Sequence, residues 1–268
     1  MSLPFDAIEN AREMGGLKTR DGRTVRHGLL LRCGNLSRAT DADVERLQRD
    51  FRLSDIVDFR FDAEAAKDPD REIPGVRRTQ LSTLSQRLID GFSQGRVDGE
   101  QPTNAEFAAS LVHHAQHPQA QELARQLYPA IITDPRSQRY YGDFLRVVLQ
   151  ARGGVLWHCS QGKDRAGLAA AFLLGALGAD RRTIVEDFNL SSEFFAMPLA
   201  MLSAKVRQLG GDQAALDFIQ AMVGVSTENF ERALDLIDTQ YGSLDAYITN
   251  QLGFSPDEQR RLRDKYLE

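Results

Sequence analysis

Cysteine and tryptophan are scarce in this chain of 268 residues, with two of the first (Cys33 and Cys159) and one of the second, and there is no excess of basic charge. Two thiols allow at most one bridge, which excludes the disulfide framework of small secreted proteins and points to a reducing compartment. Lys and Arg total 33 against 38 Asp and Glu, a formal net charge of -5. A broad electrostatic footprint for nucleic acid is thereby excluded, though a local cationic pocket is not. Long hydrophobic runs are missing as well. The longest nearly apolar stretch, from Leu168 to Ala179, falls short of the roughly 20 residues of a membrane span and reads as a buried helix. The beginning, MSLPFDAIENAREMGG, has no basic stretch followed by an apolar core, so no signal peptide of the usual form is expected. These absences imply a cytoplasmic protein with no integral membrane segment, export by a route without a signal peptide being left open.

What is present is ordinary globular composition, 42% hydrophobic and 26% charged, without internal repeats or low-complexity tracts. The expectation is a single unit spanning residues 1–268. Short apolar runs predict strands at 29–32, 55–59, 76–81 and 155–158, and Thr40 followed by Asp41 and Asp43 predicts a capped helix through Leu47. Residues 62–67 read as a short helix. Residues 82–134 are polar, broken by Gly and Pro including Pro129, and read as helical pieces forming either a lid or a surface insertion. After residue 181 helix follows helix, the last marked by a capping box of Ser255 and Glu258 with Pro256 at its first position. Strands first and helices later predict an α/β fold, a sheet flanked by helices with an enlarged helical C-terminal part.

The chemistry concentrates between the strand at 155–158 and the apolar helix that follows, in Cys159-Ser-Gln-Gly-Lys-Asp-Arg165. A short loop at a helix N-terminus can turn successive N–H groups into one cavity, where nest and helix dipole together bind a phosphate-sized anion. The Arg165 guanidinium can close that ring with two parallel hydrogen bonds. The same positive field favours the thiolate of Cys159, a competent nucleophile. A nucleotide-binding reading of Gly162-Lys163 fails, because Asp164 stands where Ser or Thr belongs.

WHCSQGKDRAG resembles the signature of the protein tyrosine phosphatase superfamily, His-Cys, five residues, then Arg. Its inner GKD is similar to that of the atypical bacterial tyrosine phosphatases, some of which also act on phosphoinositides. NAREMGGLKTRDGRTVRHGLLLRCGNLSRATDADVERL, IVDFRFDAE, EDFNLSSEFF and YGSLDAYITNQLGFSPDEQRRLR extend the resemblance over nearly the whole chain. It implies Cys159 as nucleophile, Arg165 as clamp, and the N–H groups of Ser160, Gln161, Gly162, Lys163, Asp164 and Arg165 as phosphate cradle. It also implies that His158 orients Cys159 and that Lys163 adds charge toward a second phosphate. The substrate would be a phosphorylated protein or a phosphoinositide, with no metal and no other cofactor.

The Trp-Pro-Asp loop that carries the general acid in the usual tyrosine phosphatases is absent, since Trp157 precedes His158. Asp164 is the first choice of acid, because a phosphoryl dianion beside it would favour its protonated form. Asp58, at the end of a predicted strand, is second, and Asp134 third; Asp164 could instead only cap its helix, and Asp58 only hold Arg60. Arg60 and Arg32 follow predicted strands and could face the same crevice. Ala166 replaces the Thr or Ser of most relatives, whose hydroxyl assists the second step, so a non-catalytic phosphate-binding module is the rival reading. His113, His114 and His117 have spacings a metal could use but read as solvated surface, and Cys33 could bridge Cys159 under oxidation.

Overall fold

Side chains alternate across a strand, and that period of two sorts the short apolar runs of this chain between two layers. A computed structural model describes residues 3–83, 112 and 118–268. Within them the strands are β1 (Arg12–Glu13), β2 (Leu30–Cys33), β3 (Leu53–Asp58), β4 (Arg77–Gln80) and β5 (Gly154–His158). They form one sheet in the order β1-β2-β5-β3-β4. β1 runs antiparallel to β2, and the other neighbours are parallel. Leu30, Val57, Val155 and Trp157 enter one hydrophobic cluster, whereas Leu31, Cys33, Ile56 and Leu156 enter another on the opposite face. A central strand buried on both faces reads as an unbroken apolar run, as Val155-Leu-Trp does.

Helix α1 (Asp41–Arg49) covers the second face. It starts at Thr40, whose hydroxyl accepts the Asp43 N–H while the Asp43 carboxylate accepts the Thr40 N–H. α2 (Asp62–Lys67) follows β3. The first face is covered by α3 (Pro118–Thr133), α4 (Pro135–Gln150) and α5 (Asp164–Leu177). α5 is apolar on every side and buried from Ala166 to Leu177, as a helix without a polar face must be. It ends on Gly178 at φ +90°, the left-handed closure that glycine supplies without strain. α6 (Arg181–Asn189), α7 (Ser191–Gln208), α8 (Gln213–Met222), α9 (Thr227–Tyr241), α10 (Leu244–Asn250) and α11 (Pro256–Tyr266) complete the helical part. The capping box at Ser255 and Glu258 is present.

Two expectations need correction. Pro129 does not break the chain; it lies inside α3, where tertiary packing of Tyr128, Ile131 and Ile132 outweighs its helix cost. β1 adds a strand at Arg12–Glu13, where no apolar alternation marks one in the sequence. Of the segment read as lid or insertion, residues 84–111 and 113–117, with His113, His114 and His117, lie outside the described residues.

The register sets up the site. Cys33 and Asp58 both pair with His158, and Asp58 also pairs with Gln80. Four parallel strands therefore finish level, and the segment after His158 leaves the sheet at the carboxyl edge where α/β folds place ligands.

Candidate active site

Residues 159–163 join β5 to α5, and each carbonyl in the turn meets a donor from outside it. The Cys159 carbonyl lies 3.3 Å from His158 Nδ1. Ser160 O accepts from Asn35 N at 3.1 Å and Asn35 Nδ2 at 3.2 Å. Gln161 O accepts from Asn10 Nδ2 at 3.0 Å. Gly162 O and Lys163 O both accept from Arg32 Nη2, at 2.9 and 3.0 Å. In a trans peptide the N–H points opposite to the carbonyl before it, and the described chain has no cis bond. Carbonyls turned outward thus turn the N–H groups of residues 160–164 inward, toward Cys159. Gly162 makes the turn feasible: it sits at φ +66°, and a Cβ there would lie 2.2 Å from the Cys33 carbonyl oxygen.

Behind the loop lies an excess of positive charge. Arg12 and Arg32, both buried, share one carboxylate, Asp187, at 3.0 and 2.6 Å. Burial, then repulsion from Arg12, pull the Arg32 guanidinium down to about 10, and the attraction of Asp187 and Cys159 opposes the drop. Two buried cations against one anion leave one positive charge uncompensated, which favours an anion in the loop. Arg12 also bonds Asn10 and Ser191, and Asn10 reaches Ser191. The framework therefore draws on β1, β2 and the α6–α7 junction.

Arg165 is gripped from the other side by Glu64 of α2, in a two-point contact at 2.6 and 2.9 Å. Glu64 also accepts the Ser160 hydroxyl at 2.9 Å. Burial alone would raise the Glu64 carboxyl, but Arg165 and Ser160 hold it below the usual range. Burial acts against the Arg165 charge; Cys159 and Glu64 outweigh it and push the guanidinium up. Tyr141 donates its hydroxyl to the Arg165 carbonyl at 3.2 Å, and Trp157 Nε1 donates to the carbonyl of fully buried Ala166 at 3.0 Å.

The three candidate acids occupy different surroundings. Asp164 opens α5, is partly exposed, and accepts the Tyr128 hydroxyl on Oδ1 at 2.5 Å. Asp58 is buried and takes Arg60 Nη2 at 2.9 Å and the Arg60 N–H at 2.9 Å. Asp134 caps α4 through the Ser137 N–H. Arg60 is spent in the same network, donating to Asp58, to Asp70 at 2.7 Å and to the Asp68 carbonyl at 2.7 Å. His158 Nε2 faces Asp70 Oδ2 at 3.2 Å, off the direction of an ideal hydrogen bond, and Nδ1 lies 3.8 Å from Asp58. Asp58, Asp70 and His158 bring donor atoms within 4.8 Å of one another, but the Arg60 guanidinium already bridges the two carboxylates and supplies the cation.

Lys163 is buried, with Nζ donating to the Val223 and Gly224 carbonyls at 3.3 and 2.8 Å and lying 5.5 Å from the Phe195 ring centroid. Cys33 and Cys159 are both free thiols; burial, then the charge of Asp70, pushes the Cys33 thiol well up. Sequence reasoning missed Asn10, Arg12, Asn35, Glu64, Asp70, Tyr128 and Asp187. Most of these lie in segments that carry the resemblance, NAREMGG, CGN, RFDAE and EDFN, and that resemblance was the available signal. Tyr128 and Asp70 had none.

Known proteins resemble this chain along its length. Residues 3–268 match a family described as the tyrosine phosphatase family. A protein of Cupriavidus necator, assigned by its name as a tyrosine-protein phosphatase, is 30% identical over 269 residues, which cover 99% of this chain and 88% of that one. The triple specificity protein phosphatase PtpB of Mycobacterium tuberculosis is 27% identical over 261 residues, covering 91% and 92%. The crystal structure of P. aeruginosa TpbA aligns over 75% of this chain and 89% of its own at 23% identity, with a TM-score of 0.30.

Proposed function

Since this chain belongs to the tyrosine phosphatase family, we propose that it hydrolyses phosphotyrosine in proteins by way of a cysteinyl-phosphate on Cys159. The observation that carries this reading is the loop, whose carbonyls are all drawn outward above one unbalanced buried positive charge. The Cys159 sulfur attacks phosphorus in line while the bond to the leaving oxygen breaks, and Asp164 gives that oxygen its proton. Water then attacks phosphorus, Asp164 takes the proton from the water, the phosphorus–sulfur bond breaks, and the thiolate returns. Inward N–H groups and Arg165, steadied by Glu64, hold the equatorial oxygens, an electrostatic contribution that dominates phosphoryl transfer.

Dual specificity, with phosphoserine and phosphothreonine accepted at the same loop, is supported by similarity to a phosphatase named for triple specificity. Phosphoinositide hydrolysis ranks behind it, because Lys163 would have to leave the Val223 and Gly224 carbonyls to meet a second phosphate. The test is phosphate release from an aryl phosphate, resolved before and after the first turnover. Cys159→Ser reduces release to background. Wild type shows a burst, because Ala166 has no hydroxyl for the second step; Ala166→Ser, which adds one oxygen at a fully buried position, raises the steady rate relative to the burst. No release from wild type, with phosphate analogues still bound, would instead favour the binding module.

A further inference from the structure

Tyr128 lies 3% exposed on α3, its ring 6.3 Å from that of Phe188 and 6.1 Å from that of Phe230, edge-on to both. Phe188 and Phe230 stack on each other at 3.9 Å, so the phenol is held in a wall built by α6 and α9. Its hydroxyl points to Asp164 Oδ1 at 2.5 Å. Burial, then the Asp164 charge, raises the phenol well above its ordinary range, so the group stays an O–H donor. Asp164 Oδ2 forms an ion pair with the Lys163 ammonium at 3.5 Å, a contact longer than a strong hydrogen bond, so Oδ2 is not covered by a close donor as Oδ1 is.

We infer that Tyr128 is the positioning residue of the acid: its hydroxyl fixes Oδ1 and leaves Oδ2 as the oxygen that gives and retrieves the proton. The inference rests on the reading of Asp164 as the acid. A mobile Trp-Pro-Asp loop closes its acid over the substrate; here the acid is built into the phosphate loop, and a side chain from another helix orients it. A carboxyl free to rotate presents its proton in many directions, and general acid catalysis depends on reach and alignment.

The test varies the leaving group. Protonation matters little when p-nitrophenolate departs and much when phenolate does. Tyr128→Phe keeps the ring and its packing while removing the hydroxyl. It is expected to lower kcat about threefold on p-nitrophenyl phosphate and about thirtyfold on phenyl phosphate, a modest part of the range for general acids. Vanadate affinity and Tm, measured beside it, separate this from a folding defect. Asp164→Asn should show the same trend more steeply, and the double variant should lose no more than Asp164→Asn alone, because both act on one proton. Equal losses on both substrates for Tyr128→Phe, with Asp164→Asn still dependent on the leaving group, overturn the positioning role and leave the acid standing. Asp164→Asn without that dependence overturns the acid assignment and this inference with it.

Discussion

Asp70 shows how much one side chain can organise. Its carboxylate accepts the Leu36 N–H at 2.8 Å, Arg60 at 2.7 Å and Arg78 at 2.6 Å, and faces the His158 ring. Burial alone would raise it, yet His158, the Leu36 N–H and Arg60 hold it at about 2. A carboxyl lower in the folded than in the unfolded state contributes stability that is complete above its unfolded value near 3.9 and is lost as pH falls through the folded one. That contribution is roughly 2–3 kcal/mol, of which about 1 kcal/mol is gone by pH 3. Asp70→Asn should therefore be less stable than wild type at pH 7, with the gap narrowing by about 1 kcal/mol at pH 3 in urea titrations. A gap independent of pH would mean that the donors around Asp70 do not distinguish its two forms.

The junction of β5, loop and α5 depends on a single backbone conformation. An alanine in the left-handed region costs about 1–2 kcal/mol anywhere, and at Gly22, φ +85° with open space around it, that cost stands alone. At Gly162 the new methyl would also strike the Cys33 carbonyl, forcing the loop off its donors. Gly162→Ala should weaken vanadate binding by at least about tenfold, or 1.4 kcal/mol, whereas Gly22→Ala should leave that affinity unchanged and lower only Tm. The same junction marks where sequence reading stops. Strand, loop and helix are neighbours in the chain, so their residues and spacing could be read directly. Arg60 and Asp58 could be recognised as candidates, but their pairing was only one alternative, since nothing local says which carboxylate a buried guanidinium will meet. Glu64 and Tyr128 lie 101 and 36 residues from the groups they hold, and only the packing of α2 and α3 brings them there.

Stability is distributed unevenly over the whole molecule. α7 and α8 meet in a cluster of their own, Val206, Ala215, Phe218 and Ile219, while β5 and α5 belong to the large one. Native-state hydrogen exchange should find amides of 191–222 opening at a lower free energy than those of the buried strand β5 and of α5 from Ala166 to Leu177, which are expected to need the largest openings. Uniform protection across both regions would contradict that partition. The framework under the loop, finally, joins distant parts of the chain: Asn10 reaches the Gln161 carbonyl, Arg12 reaches Asp187, and Asn10 reaches Ser191 across 181 positions. Contacts of such separation form late, after the loop-closure entropy between them has been overcome. During synthesis the ribosome completes Cys159 well before Asp187 and Ser191 exist, so the growing polypeptide carries its thiol without the cradle that surrounds it in the finished protein. The birth of the site thus waits until synthesis has passed Ser191.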